Sequence, residues 1–182
     1  MYIELSKGQS PVTTSEMKSY MKITSSNDDT LIGSMIDNCV RYGEGYTGRD
    51  FSIKSWKLLI DTFSSRIHLS RMTVDTVTTI KHLVSNVLTT VSSADYYLKN
   101  NASNSEILLI DGASWPTDTD IREQAIEIEF ATTVSMDQSV IESAIKKHVS
   151  YMYFNRGDCD VGEAARLSGA MNDYTYYRIP RV

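Results

Sequence analysis

The hydrophobic period of this 182-residue chain changes twice, and that double change restricts its folds more than any other feature. Between Asp29 and Tyr46 apolar side chains recur at helical spacing: Ile32, Met35, Ile36, Cys39, Val40 and Gly43. From Phe51 the period becomes two, and stretches rich in Val, Thr and Ile continue to Thr132. At Asp137 the helical period returns with Val140, Ile141, Ala144, Ile145, His148, Val149, Met152 and Tyr153. Helices from the two ends of a chain pack together only if the strands between them form an excursion. The expected class is therefore α+β: a mainly α-helical body, built from two N-terminal helices and the C-terminal helices, with a small antiparallel β domain inserted. On this reading 1–182 is one domain. Residues 1–50 and 133–170 form the helical body, 51–132 the inserted β subdomain, and 171–182 a C-terminal tail.

Local signals place the elements. Residues 1–12 look extended and end at Ser10-Pro11. Thr13 and Glu16 have the spacing of a capping box, and Met17, Tyr20 and Met21 share a face of the helix it opens. Ser25 to Asp29 supplies N-cap residues for the second helix, and Gly48 is placed to stop it. Six strands are expected. The first carries Phe51, Ile53, Trp56, Leu58 and Ile60, with an irregularity near Lys54-Ser55. The others are Arg66–Leu69, Thr73–Val84, Asp95–Leu98, Glu106–Ile110 and Ile126–Thr132, with a turn at Asn100 to Asn104. In the last strand Ile126, Ile128 and Phe130 alternate with Glu127 and Glu129, which predicts one buried and one wet face. The third helix ends near Arg156 at Gly157-Asp158, and a short helix is expected over Val161–Leu167.

Apolar residues make up 41% of the chain, enough for a real core and too many for a disordered one. The formal charge of −5 disfavours generic duplex binding, which needs Lys and Arg against phosphates. It is compatible with a surface past which DNA slides. Cys39 falls in an apolar helical pattern and Cys159 in a polar turn; they form neither a metal spacing nor a disulfide framework. No apolar run is long enough for a bilayer span, and the first residues lack the pattern of a signal peptide. A soluble protein made in the cytoplasm is expected.

Few motifs carry chemistry. Gly43-Glu44-Gly45-Tyr46-Thr47-Gly48 matches a dinucleotide fingerprint, but it closes a helix and precedes a strand, the reverse of what phosphate binding needs. It is better explained as a helix terminus with small packing residues. His68, His82 and His148 lie far apart without ligand spacing, and His148 is expected to pack. Asp118, Asp120, Glu123, Glu127 and Glu129 form an acidic cluster that reads first as a solvated loop and strand face. Arg156-Gly157-Asp158 is a helix-ending turn, and Asn101-Ala102-Ser103 is a sequon without consequence outside secretion. No catalytic, cofactor-binding or metal-ligating residue is assigned. The C-terminal segment differs: Tyr174, Tyr176, Tyr177, Arg178 and Arg181 are five of the last nine residues, and these types are enriched at protein interfaces. It is either a tail that orders on a partner or one packed on its own subunit.

The ordered landmarks resemble the head–tail connector (adaptor) family of tailed bacteriophages. They run from Pro11-Val12-Thr13 with Glu16 and Lys18, through Asp28-Asp29 with Leu31-Ile32, to Tyr42, Glu44 and Tyr46-Thr47-Gly48-Arg49. Trp56, Ile67 with Leu69, Val74, Val77 and Ile80, Tyr96 with Leu98, and Trp115-Pro116 follow. Ala144-Ile145, His148, Tyr153, Asn155-Arg156 and Tyr177-Arg178 close the series. The resemblance spans nearly the whole chain, and Tyr-Thr-Gly-Arg after an acidic-start helix is its most specific part. It implies a structural, non-enzymatic virion protein of the head–tail junction, assembled in the host cytoplasm. It implies a ring of copies of itself, typically dodecameric, beneath the portal protein. The ring would extend the DNA channel without sequence-specific contact and present a surface to the next stopper or tail protein. No cofactor or membrane partner is implied. The helices are expected to line the ring, the β domain to contribute to neighbour or outer contacts, and the Tyr/Arg segment to bind the portal. Rival readings are another neck or tail-completion protein, a small enzyme using the Asp118–Glu129 acids, and a DNA-binding module.

Overall fold

A computed structural model describes residues 1–69, 74–101, 104–134 and 136–179. Thr73, Ala102, Ser103, Pro180 and Arg181 therefore lie outside the described residues. The fold is mixed α+β, with five helices and eight strands among the described residues. It divides into two compact units. One comprises Met1–Gly8 with Ser52–Thr133, the other Gln9–Phe51 with Val134–Val182.

The helical unit holds α1 (Thr14–Met21), α2 (Asp29–Thr47), α3 (Gln138–Phe154), α4 (Val161–Leu167) and α5 (Ala170–Tyr176). The Thr13 side chain accepts from the Glu16 N–H while Glu16 accepts from the Thr13 N–H, so the capping box forms as the spacing predicts. Gly48 ends α2 at φ 74°, a left-handed turn that a side chain would strain. Asp137 and Asp160 cap α3 and α4 by accepting from Ser139 and Glu163 N–H groups. Met17, Ile32, Ile36, Cys39, Ile141, Ala144, Ile145 and Val149 bury one face of each long helix in a common core. Tyr20, expected beside Met17 and Met21, is instead 51% exposed. It lies three residues from Met17 but off the narrow stripe that an eight-residue helix presents.

The β unit contains two antiparallel sheets. One has five strands in the order β1-β2-β8-β4-β5: β1 (Tyr2–Ser6), β2 (Ser55–Ile60), β8 (Ile126–Thr132), β4 (Val74–Val84) and β5 (Val87–Thr90). The other has the order β3-β7-β6: β3 (Arg66–Leu69), β7 (Ser105–Leu109) and β6 (Tyr96–Asn100). Trp56, Leu58, Ile80, Ile126, Ile128 and Phe130 from the first share a core with Ile67, Leu69, Tyr96 and Ile107 from the second. In β8 every second residue is buried, and the intervening Glu127 and Glu129 both engage Lys57, at 2.7 and 3.1 Å.

Three expectations need correction. The first residues do not accompany the helices: β1 pairs antiparallel with β2, Tyr2 opposite Leu58, which brings Met1–Gly8 into the β unit. Phe51 does not begin a strand. The Glu44 carboxylate accepts the Phe51 N–H at 2.9 Å and turns this buried ring into the helical core, while Ile53 is 65% exposed. The irregularity near Lys54-Ser55 is real, because β2 starts there opposite a bulge between Glu4 and Ser6. Finally, β5 was not expected. Ser85 and Asn86 both take positive φ, 51° and 64°, and form a two-residue hairpin turn usually signalled by Asn-Gly or Asp-Gly.

Candidate interaction site at the C-terminal segment

The last described residues are not a loose tail. Gly169, at φ 81°, opens α5, and Ala170 and Tyr174, one turn apart, face inward. Tyr174 is fully buried, its ring 5.9 Å from that of Phe51. Its hydroxyl lies 3.4 Å from His148 Nδ1, and His148 Nε2 lies 2.7 Å from the Val161 carbonyl. A carbonyl can only accept, so Nε2 carries the proton and donates, which leaves Nδ1 to accept from the tyrosine. Burial pushes the Tyr174 phenol up and the His148 imidazole down, against a smaller upward pull from Val161, so both are held neutral.

The end of α2 holds the segment that follows. Arg49 Nε donates to the Tyr177 carbonyl at 2.8 Å, and the Ile179 N–H donates to the Thr47 carbonyl at 2.9 Å. The Tyr46 hydroxyl lies 3.0 Å from Thr175 Oγ1, and the Arg178 guanidinium sits 4.9 Å above the Tyr46 ring. The Tyr46-Thr47-Gly48-Arg49 stretch is thus a clamp for the C-terminal segment. Its role was hidden in the sequence because the partner lies some 130 residues away. Outward from this clamp stand Tyr176, 84% exposed, the exposed Arg178 and the half-buried Tyr177, whose ring meets that of Tyr176 edge-on at 5.0 Å.

Of the five residues singled out from the sequence, Tyr176 and Arg178 are exposed and Tyr177 is half-buried against Tyr176. Tyr174 belongs to the core, and Arg181 lies outside the described residues. The tyrosines looked alike in sequence because a seven-residue helix shows no clear period.

Three of the five acidic residues, Asp120, Glu127 and Glu129, have structural partners. Asp120 accepts from the Ser85 and Asn86 N–H groups at 2.9 and 2.8 Å, which fixes the β4–β5 turn and lowers its carboxyl below the usual range, Asn86 contributing most. Asp118 is exposed, 4.0 Å from His82, while Glu127 and Glu129 share Lys57. Among the described residues no three His, Cys, Asp or Glu side chains converge as metal ligands would. No described helix is long and apolar enough to cross a membrane.

The β unit also bears a cleft of about 570 Å³, floored by Phe63 and Trp115, stacked at 4.6 Å and nearly parallel. Trp115 Nε1 donates to the Ser64 carbonyl at 2.9 Å, and Pro116 and the fully exposed Ile121 complete its apolar rim. Trp115-Pro116 and the acidic Asp120 and Glu123 of its lining stood out in the sequence; Phe63, half the floor, lies in a short loop without a pattern.

A family model described as phage gp6-like head-tail connector protein matches residues 12–114, more than half of the chain. No curated protein matches. Among solved structures, a chain in the neck of an empty gene transfer agent particle with C6 symmetry is 20% identical. The match covers 100% of this chain and 97% of that one, with a TM-score of 0.79. A chain in the virion of the native particle gives 0.76, and one in the neck of the native particle with C12 symmetry gives 0.72, each at 20% identity over the same shares. These likenesses establish a shared fold along the whole chain.

Proposed function

The chain belongs to the phage gp6-like head-tail connector family, and from that premise we propose that its copies form a ring beneath the portal protein, joining the DNA-filled head to the tail. Its role is structural. The observation that carries the reading is the family match, reinforced by a fold shared end to end with chains of a particle neck in C6 and C12 symmetry. A dodecamer fits the twelvefold case. The ring extends the DNA channel, and the net charge of −5 suits a lumen through which DNA passes without sequence-specific contact. It acts at the head–tail junction of the virion after assembly in the host cytoplasm, and its far face receives a stopper or tail protein. The helical unit is the body of the connector and the β unit an excursion from it, with β1 returned from the N-terminus.

The portal-facing anchors are Tyr176, Tyr177 and Arg178, together with Arg181. What supports this is the exposure of Tyr176 and Arg178 beside a clamp that fixes their backbone. Tyr174 is set aside because its ring fills the core.

The test is incubation with the cognate portal, followed by native mass measurement and imaging. A stoichiometric second ring under the portal is expected. A folded chain that leaves an intact portal bare would overturn the connector reading. A ring docked on a different neck protein would reassign it as a tail-completion subunit. For the anchors, Tyr176→Ala with Arg178→Ala should weaken portal binding while the fold is retained; unchanged binding would remove that assignment.

A further inference from the structure

The five-stranded sheet ends on two strands, β1 and β5, and they are guarded unequally. Outermost strands of soluble proteins carry charge, proline or a bulge, because outward-facing N–H and C=O groups template another strand. Val87-Leu88-Thr89-Thr90 of β5 has none of these, its pairing with β4 is regular, and all four residues are exposed. Val87 is 64% and Leu88 44% accessible. On β1, Ile3 and Leu5 are 37% and 48% accessible. The one charge there, Glu4, is neutralised by Lys54 at 3.4 Å.

Every neighbouring pair in the sheet is antiparallel, and four steps separate the two edges, so β1 and β5 run in the same direction. A sheet with that property repeats head to tail: the far edge of one copy meets the near edge of the next, and the repeat closes into a ring when the rotation allows. Pairing of β5 with a second β5 would instead be antiparallel and would stop at a dimer.

We propose that β5 of one copy pairs in parallel with β1 of the next, so that the sheet runs from subunit to subunit, with Ile3 packed against Leu88. This rests on the ring reading given above. The register follows from backbone alternation. Met1 and Leu59 bond in both directions at 2.8 Å, so Glu4, three residues on, turns its N–H and C=O away from β2. The Val91 N–H donates to the Ile80 carbonyl, so Leu88 and Thr90 turn theirs away from β4. A parallel ladder then lets the Glu4 N–H donate to the Leu88 carbonyl and the Thr90 N–H donate to the Glu4 carbonyl. Ile3 falls opposite Leu88 on the outer face. The bulge after Glu4 keeps the ladder short, so it sets the register of neighbours rather than supplying the whole interface.

The test is disulfide trapping on portal-bound rings. The full chain carries Ile3→Cys and Leu88→Cys, with Cys159→Ser to remove the accessible native thiol. Oxidation is expected to give a ladder of covalent multimers up to the closed ring, and neither single cysteine variant gives one. A control pair, Ile121→Cys with Leu88→Cys, should give none. Independently, Leu88→Lys should lower the yield of rings on the portal while the circular dichroism spectrum is unchanged. Wild-type rings on the portal with no ladder from the Ile3/Leu88 pair and normal assembly of Leu88→Lys would overturn the edge pairing and leave the connector role intact. Trapping of a different neck protein's strand on Leu88→Cys would likewise overturn it. Absence of rings from the wild type would overturn the connector reading, and the pairing with it.

Discussion

Phe51 and Tyr174 stack with ring centroids 5.9 Å apart, so a residue just past the α2 cap and one near the end of the chain close the same core. The C-terminal segment is therefore part of the fold, and Tyr174 and Tyr176, two residues apart, have opposite duties. Tyr174→Ala should cost about 3–5 kcal/mol, the range for deleting a buried aromatic ring. Tyr176→Ala should change stability by less than about 0.5 kcal/mol, as exposed substitutions do. Urea unfolding followed by helical circular dichroism checks both.

Gly43 and Gly45 make a second matched pair. A Cβ on Gly43 would come within 2.5 Å of Phe51 Cε2 and 3.2 Å of Tyr174 Cε1, whereas one on Gly45 meets nothing within 4 Å. Gly43→Ala should destabilise by about 1–3 kcal/mol through overpacking. Gly45→Ala should stabilise by up to about 1 kcal/mol, because alanine favours the helix where there is room. Denaturation midpoints of the two variants should move in opposite directions.

His148 gives the helical unit a pH dependence. Burial lowers its folded-state pKa below the unfolded value of 6.5, so the unfolded chain takes up the proton more readily. Its contribution to stability is therefore full above about pH 6.5 and is lost as pH falls through the folded value. Melting temperatures between pH 7.5 and pH 5 should decline for the wild type, and that part of the decline should be missing in His148→Gln.

The two thiols should behave differently toward a disulfide reagent. Cys39 is buried among helices and burial pushes its thiol up, while Cys159 is half-exposed and is raised less, by desolvation and then by Glu163, Asp158 and Asp160. One thiol per chain should react in the native state, slowly near neutral pH and faster as pH rises, and the second only on unfolding. Reaction of both thiols at the same native rate would contradict the packing of Cys39.

Sequence alone determined what depends on near neighbours. The capping box at Thr13 and Glu16, the stop at Gly48 and the alternation of β8 all rest on interactions within a few residues, and their signals survive in the linear pattern. The change of period from helix to strand and back gave the α+β class, and the ordered landmarks gave the family. Tertiary structure decided everything set by partners far along the chain. Phe51 has the spacing of a strand residue, but Glu44 and Tyr174 claim it for the helical core. Tyr46 and Arg49 form a clamp only because the C-terminal segment returns to them, and that return separates Tyr174 from the tyrosines beside it. β1 becomes an edge by pairing with β2, and Ser85-Asn86 becomes a hairpin turn with the carboxylate of Asp120 across it. A period records which face of an element is buried; the choice of partner for that face is made by packing, which no local pattern encodes.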